Sequence, residues 1–235
     1  RILSRKDVAL YKEALTILNA LDDNADTLST KLTCALGMDD WKGAERIVSG
    51  ILRAGNSDLA SSALQQLIEE MGAEMPSPPF TQVGAPPKEA SRFGVKALQG
   101  LLDVPWQPPL PDALIRDARA CLARLHAMNG DRQLAARLLD ELLEQDPTDG
   151  AMLLNAARLN EDWVQAGSGD AGKAEALWQR LLQDNRLRES APKVYWEARY
   201  RWLAYQLRAG RSEMVLKAVA ADRAWFPELG GPPWQ

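Results

Sequence analysis

Three short breaks constrain this chain more than any other feature: Leu36-Gly37-Met38-Asp39-Asp40, Asn129-Gly130-Asp131 and Ala209-Gly210-Arg211 each interrupt an apolar-periodic run. In each of them Gly stands just past an expected helix end, where a left-handed φ costs it little. Asp40 and Asp131, with Ser212 after the third break, are placed to accept the free amide hydrogens of the helix that follows. A chain punctuated in this way folds as successive tight helical hairpins.

Between the breaks Ala and Leu dominate while Val, Ile and Thr are scarce, a balance that favours helices over strands. Apolar periodicity predicts helices at Ser4–Leu21, Ala25–Leu36, Trp41–Ala54, Ser57–Met71, Lys88–Leu102, Pro111–Met128, Arg132–Gln145, Gly150–Gln165, Lys173–Gln183, Lys193–Arg208 and Ser212–Trp225. The expected class is all-α, a tandem array of antiparallel helix pairs. With 46% hydrophobic residues in 235, such an array has the means to bury a substantial core.

The pairs are self-similar. After Gly130-Asp131 come Ala135, Leu139, Leu142 and Pro147, a spacing that stacks small and large apolar residues on one helix face and stops the helix at Pro. Asp40-Trp41, Ala44, Val48 and Ile51 repeat that spacing, as do Gly169-Asp170, Ala174, Trp178 and Leu181; Gly210, Val215, Val219 and Pro227 give a copy with Val in place of Ala. On these residues the chain resembles the tetratricopeptide repeat family in a degenerate form. The resemblance implies that Ala123 and Ala135 sit where paired helices approach closely. It also implies a right-handed superhelix with a concave groove, lined by Asp117, Arg124, Met128, Arg158, Glu197, Tyr200 and Arg208. The Asn and Lys set with which some family members grip a carboxyl-terminal peptide is not found at these positions.

The repeats cover most of the chain apart from residues 73–112, which contain Met75-Pro76-Ser77-Pro78-Pro79, Pro86-Pro87 and Pro105-Trp106-Gln107-Pro108-Pro109. Proline lacks an amide donor and restricts the residue before it, so these stretches break helices. The organisation read from the sequence is therefore helix pairs over 1–72, a Pro-rich loop with one helix and a connector over 73–112, and further repeats over 113–235. The middle segment reads either as an insertion within one repeat, Lys88–Leu102 being the delayed partner of Ser57–Met71, or as a linker between two domains. At the amino end Asp7, Tyr11, Leu15 and Leu18 fit the second half of a repeat, which suggests an array cut from a longer one.

Catalytic and ligand motifs are scarce. Gly167-Ser168-Gly169-Asp170-Ala171-Gly172-Lys173-Ala174 has the glycine and lysine spacing of a phosphate-binding loop, but Ala174 replaces the Ser or Thr that holds magnesium, and a helix rather than a strand is expected before it. His126 is the only histidine, Cys34 and Cys121 lie far apart inside helical patterns, and neither has ligands at metal spacing. No cofactor, metal or catalytic residue is expected. Net charge is −4, with 28 basic and 32 acidic residues mixed along the chain, so no concentrated basic stripe points to nucleic acid. Charges also interrupt every apolar run before the roughly 18 residues that a membrane helix needs.

Aromatic residues crowd towards the carboxyl end, at Trp178, Tyr195, Trp196, Tyr200, Trp202 and Tyr205. Trp196 and Tyr200 share a helix face with Leu203 and Leu207 while Tyr195 and Trp202 point elsewhere, so one set packs against neighbouring helices; core packing of all of them is the favoured reading, and the alternative leaves the other set exposed as an anchor for a peptide or sugar. The function expected from the sequence is a non-catalytic interaction scaffold that binds a peptide or partner subunit in a groove. The alternative is a carbohydrate-handling or enzyme-associated module of a larger exported bacterial protein, in keeping with Arg exceeding Lys and with the Ala and Leu richness.

Overall fold

In the computed structural model the described residues are 5–21, 24–72, 88–184 and 186–228. Among them the structure is helical throughout, with no strand: α1 (Arg5–Asn19), α2 (Ala25–Gly37), α3 (Trp41–Ala54), α4 (Ser57–Met71), α5 (Lys88–Leu102), α6 (Asp112–Asn129), α7 (Arg132–Gln145), α8 (Gly150–Gln165), α9 (Ala171–Leu182), α10 (Leu187–Ser190), α11 (Pro192–Arg208) and α12 (Ser212–Trp225). The expected spans recur within a residue or two. The addition is α10, a single turn too short to show a period, which is pinned by buried Leu187. The Pro-rich stretch at 75–87 lies outside the described residues.

Side-chain caps set the starts of α2, α3, α4, α8 and α9. Asn24 and Thr27 form a reciprocal capping box on α2, Asn56 caps α4, Asp149 caps α8, and Asp170 caps α9. Asp40 caps α3 through the Gly43 amide, as the sequence predicts. Ser212 differs: it is the first residue of α12, and Arg211 holds the cap position without a side-chain bond. Gly130 and Gly210 take the left-handed φ expected of them, but in the first break that conformation falls on Asp39. At Gly37 a Cβ would lie 2.7 Å from the ring of Tyr11, so a larger residue there would require that ring to shift.

The chain divides into two compact units with the boundary between Leu138 and Leu139. In the first unit α2, α4 and α6 stack in sequence, as do α3 and α5, and each helix also packs on its chain neighbour. This two-layer arrangement follows from hairpins whose apolar stripes are wide enough to meet both the partner helix and the next pair. The shared core runs from Leu28 and Leu32 through Ile51, Leu64 and Leu67 to Leu98, Leu122 and Leu125. Trp41 of α3 meets Phe93 of α5 with ring centroids 5.7 Å apart.

The connector after α5 is part of that core. Trp106 is buried and its indole donates to the Leu101 carbonyl at 2.7 Å, while Leu110 is buried beside it. Without this bond an indole N–H would be desolvated with no partner, so the bond fixes how the proline segment lies against the end of α5. Lys88–Leu102 packs on α3, α4 and α6 within the first unit.

In the second unit α8 packs on α9, α9 on α11, and α11 on α10 and α12. Ala174 and Trp178 of α9 are both fully buried. The glycines between α8 and α9 make a tight turn: Gly169 donates to the Trp163 carbonyl, and a Cβ on it would lie 2.5 Å from the Val164 nitrogen. Steric need, not flexibility, explains Gly169.

Candidate functional site

Helix α11 carries much of the aromatic residue content of the second unit, and the structure sorts those side chains by face. Trp196 and Tyr205 are buried, whereas Tyr200 stays 49% exposed. Trp196 packs edge-on against Tyr195 and against Phe226 beyond α12, at centroid distances of 5.2 and 5.7 Å. Core packing of every aromatic, the reading the sequence favours, fails at Tyr200, and Trp196 and Tyr200, which the sequence places on one face, separate.

Tyr200 stands at an open groove of about 330 Å3 between α11 and α12, whose floor is Leu203, Ala204, Leu207, Val215 and Val219. One wall is closed by Arg199, which donates from Nε to Asp222 at 2.9 Å and from Nη2 to its other oxygen at 3.3 Å. A fork of this kind fixes the spacing of the two helices as well as their charge. Leu207 remains 55% exposed at the groove. The lining is apolar, its one carboxylate is paired, and its form suits a side chain or helix face of another molecule rather than a small polar substrate.

The remaining residues that the sequence assigns to a groove lie in different surroundings. Asp117 is exposed and Met128 half-buried on α6. Arg124 is in the core of the first unit and donates from Nη1 to the carbonyl of Met71, the last residue of α4. A cation there satisfies one of the carbonyls left open at a helix end. Arg158 and Glu197 are bonded to each other at 3.1 and 2.9 Å, with side-chain exposures of only 12% and 3%. Arg208 is exposed and its guanidinium lies 5.0 Å from the centroid of the Tyr205 ring. Of the seven, Tyr200 alone lines the α11–α12 groove. The groove's other members were hidden because Val215 and Val219 satisfy the repeat spacing and so read as core, though Leu203 and Leu207 share the face of Tyr200.

A second polar cluster sits between α8 and α11. Glu161, 1% exposed, accepts from Tyr205 Oη at 2.6 Å and Gln165 Nε2 at 3.0 Å, and Arg201 Nη1 lies 3.9 Å from it. Burial raises the Tyr205 hydroxyl above its usual range, and the hydrogen bond to Glu161 raises it further. Burial also lowers Arg201, against the opposing pull of Glu161 and Glu197. Both buried carboxylates are committed to hydrogen bonds and cations, an arrangement that joins helices and leaves neither group open to a substrate.

In the first unit Cys121 is fully buried and its thiol is pushed up to about 12 by burial, an effect that Arg124 partly offsets. At neutral pH it is a protonated apolar filler. Among the described residues no group of His, Cys, Asp and Glu is arranged to hold a metal ion, and no helix is long and apolar enough to cross a membrane.

The phosphate-loop-like segment follows α8, a helix. Lys173 Nζ is held by both oxygens of Asp140 at 3.0 and 2.8 Å, and the Gly172 and Lys173 amides both point at Asp170 Oδ1. The charge and the amides that would meet a phosphate are already engaged. We expect no binding of ATP or GTP by calorimetry with magnesium present. A binding isotherm that vanishes in Lys173→Ala would refute this.

The described residues define an all-α protein with an open, largely apolar groove between α11 and α12. Comparison with protein-family profiles, with curated proteins and with solved structures gives no match.

Proposed function

We propose that this chain is a non-catalytic protein-interaction scaffold of degenerate tetratricopeptide type, in which the α11–α12 groove receives a peptide or the apolar face of a partner helix. The observation behind this reading is the groove itself, where Tyr200 and Leu207 are each about half exposed beside an apolar floor. Contiguous apolar surface of this kind is uncommon on a folded chain unless something covers it. Supporting the repeat assignment, Ala44, Ala123, Ala135 and Ala174 are all fully buried, as residues at close helix contacts must be. The paired states of Glu161 and Glu197 support the non-catalytic part.

The test is affinity capture with the purified chain followed by mass spectrometry, repeated with Tyr200→Ala. Tyrosine combines a broad apolar surface with a directional hydroxyl, and removing it from a binding centre typically costs 1 kcal/mol or more, roughly. We expect the variant to lose captured partners while its melting temperature stays unchanged, because a half-exposed ring contributes little to the core. Partners retained at wild-type levels by Tyr200→Ala would place the interaction elsewhere.

A further inference from the structure

We propose that the partner helix received by the α11–α12 groove is α12 of a second copy of this chain, in a two-fold contact. This inference rests on the groove reading and names its occupant. Beside the groove α12 carries a ridge: Leu216 is 70% exposed, and Val219, one turn on, is half-buried and also lines the groove. Ser212 and Arg223 extend that line, with spacings of four, three and four residues. Such spacing keeps a narrow seam along one helix, the pattern by which two helices pack side by side over several turns.

A two-fold contact asks more of a surface than an ordinary docking site, because one patch must supply both halves of every interaction. Here hollow and ridge adjoin on the same hairpin. Tyr200, Leu203 and Leu207 of α11 face the hollow, and on α12 the exposed Leu216 follows Val215, which is part of its floor. Two copies related by a half-turn each lay the Leu216 ridge in the hollow of the other, and the half-exposed Tyr200 and Leu207 are covered in both.

Charge sets the direction and register. Glu213 and Arg223 are both exposed and stand ten residues apart on α12, about 15 Å along the axis at 1.5 Å per residue. Their midpoint, residue 218, falls between Leu216 and Val219. An antiparallel α12 centred on the ridge therefore brings Glu213 of each copy to Arg223 of the other, twice by symmetry. A parallel arrangement sets like charge against like. Glu213 meets Lys217 at 2.7 Å within one copy, but their side chains are 83% and 76% exposed, so that bond contributes little and yields readily. The Arg199–Asp222 fork is left as it stands.

The experiment is size-exclusion chromatography with light scattering, and sedimentation velocity, on the full chain over a concentration series. We expect a concentration-dependent dimer, and a monomer from Leu216→Glu. Glu213→Arg or Arg223→Glu alone should weaken the dimer about tenfold or more, because each sets like charges together. Glu213→Arg/Arg223→Glu should restore it. All three residues are exposed in the single copy, so the helical circular dichroism spectrum should be the same in every variant. A wild-type chain that is monomeric at every concentration overturns the proposal, as does a dimer indifferent to Leu216→Glu or one that the double reversal fails to restore. The groove reading falls separately. A monomeric chain that captures a different protein through Tyr200 keeps the groove and overturns the second copy, and one whose captures ignore Tyr200 overturns both.

Discussion

Replacing Glu161 by Ala is expected to lower stability by about 3–5 kcal/mol, the usual cost of leaving one member of a buried ion pair without its partner. Glu161 is 1% exposed, and three side chains converge on it: the Tyr205 hydroxyl, the Gln165 amide and the Arg201 guanidinium. Removing the carboxylate leaves the Tyr205 hydroxyl with no acceptor and the Arg201 charge poorly compensated. Arg201 has little slack, because its Nε and Nη2 are buried without a hydrogen-bond partner. Urea denaturation followed by circular dichroism measures the loss. Glu161→Ala/Arg201→Met should recover much of it, since an apolar side chain of similar length replaces the orphaned charge. A loss below about 1 kcal/mol in the single variant would mean that water reaches the cluster and hydrates it.

Ala174→Trp is expected to cost about 1–3 kcal/mol by forcing a large ring into a full contact. Ala174 is at 0% exposure on α9, whose neighbours are α8 on one side and α11 on the other. Room for an indole exists only if the helices separate, and Trp178 one turn on already fills the space beneath. Ala135→Trp, at another fully buried alanine, should behave alike. The control is Ala176→Trp, two residues from Ala174 but exposed, which should change stability by no more than about 0.5 kcal/mol. Equal denaturation midpoints for the Ala174 and Ala176 variants would sink the register on which the helix-pair reading depends.

Much of the secondary structure was legible because it is written locally. A Gly or Asp at a break and an apolar stripe on the next helix act within a few residues, so α3, α4, α5, α7, α8 and α12 begin and end where the sequence places them. Close helix contacts were legible too, because they demand a small side chain at a fixed offset from a cap. Ala44 follows Asp40 and Ala174 follows Asp170 by the same four residues, and both are fully buried.

The fate of the charged residues was not legible. A sequence shows an Arg or Glu on a helix and the general expectation sends it to solvent, yet whether it can be buried depends on what stands opposite in space. Arg124 is in the core because the Met71 carbonyl, 53 residues earlier, is there to accept from it. Glu197 is buried because Arg158, 39 residues away, meets it with both ends of its fork. A Cβ on Gly37 would meet the ring of Tyr11, 26 residues earlier, a contact no local pattern announces. Helix spans, the all-α class and the small-residue contacts follow from the sequence by itself, since local capping and periodicity decide them. Which polar side chains became structural, and which apolar ones were left open beside Tyr200, was decided only by the tertiary structure, because burial is a property of the neighbours that the fold supplies.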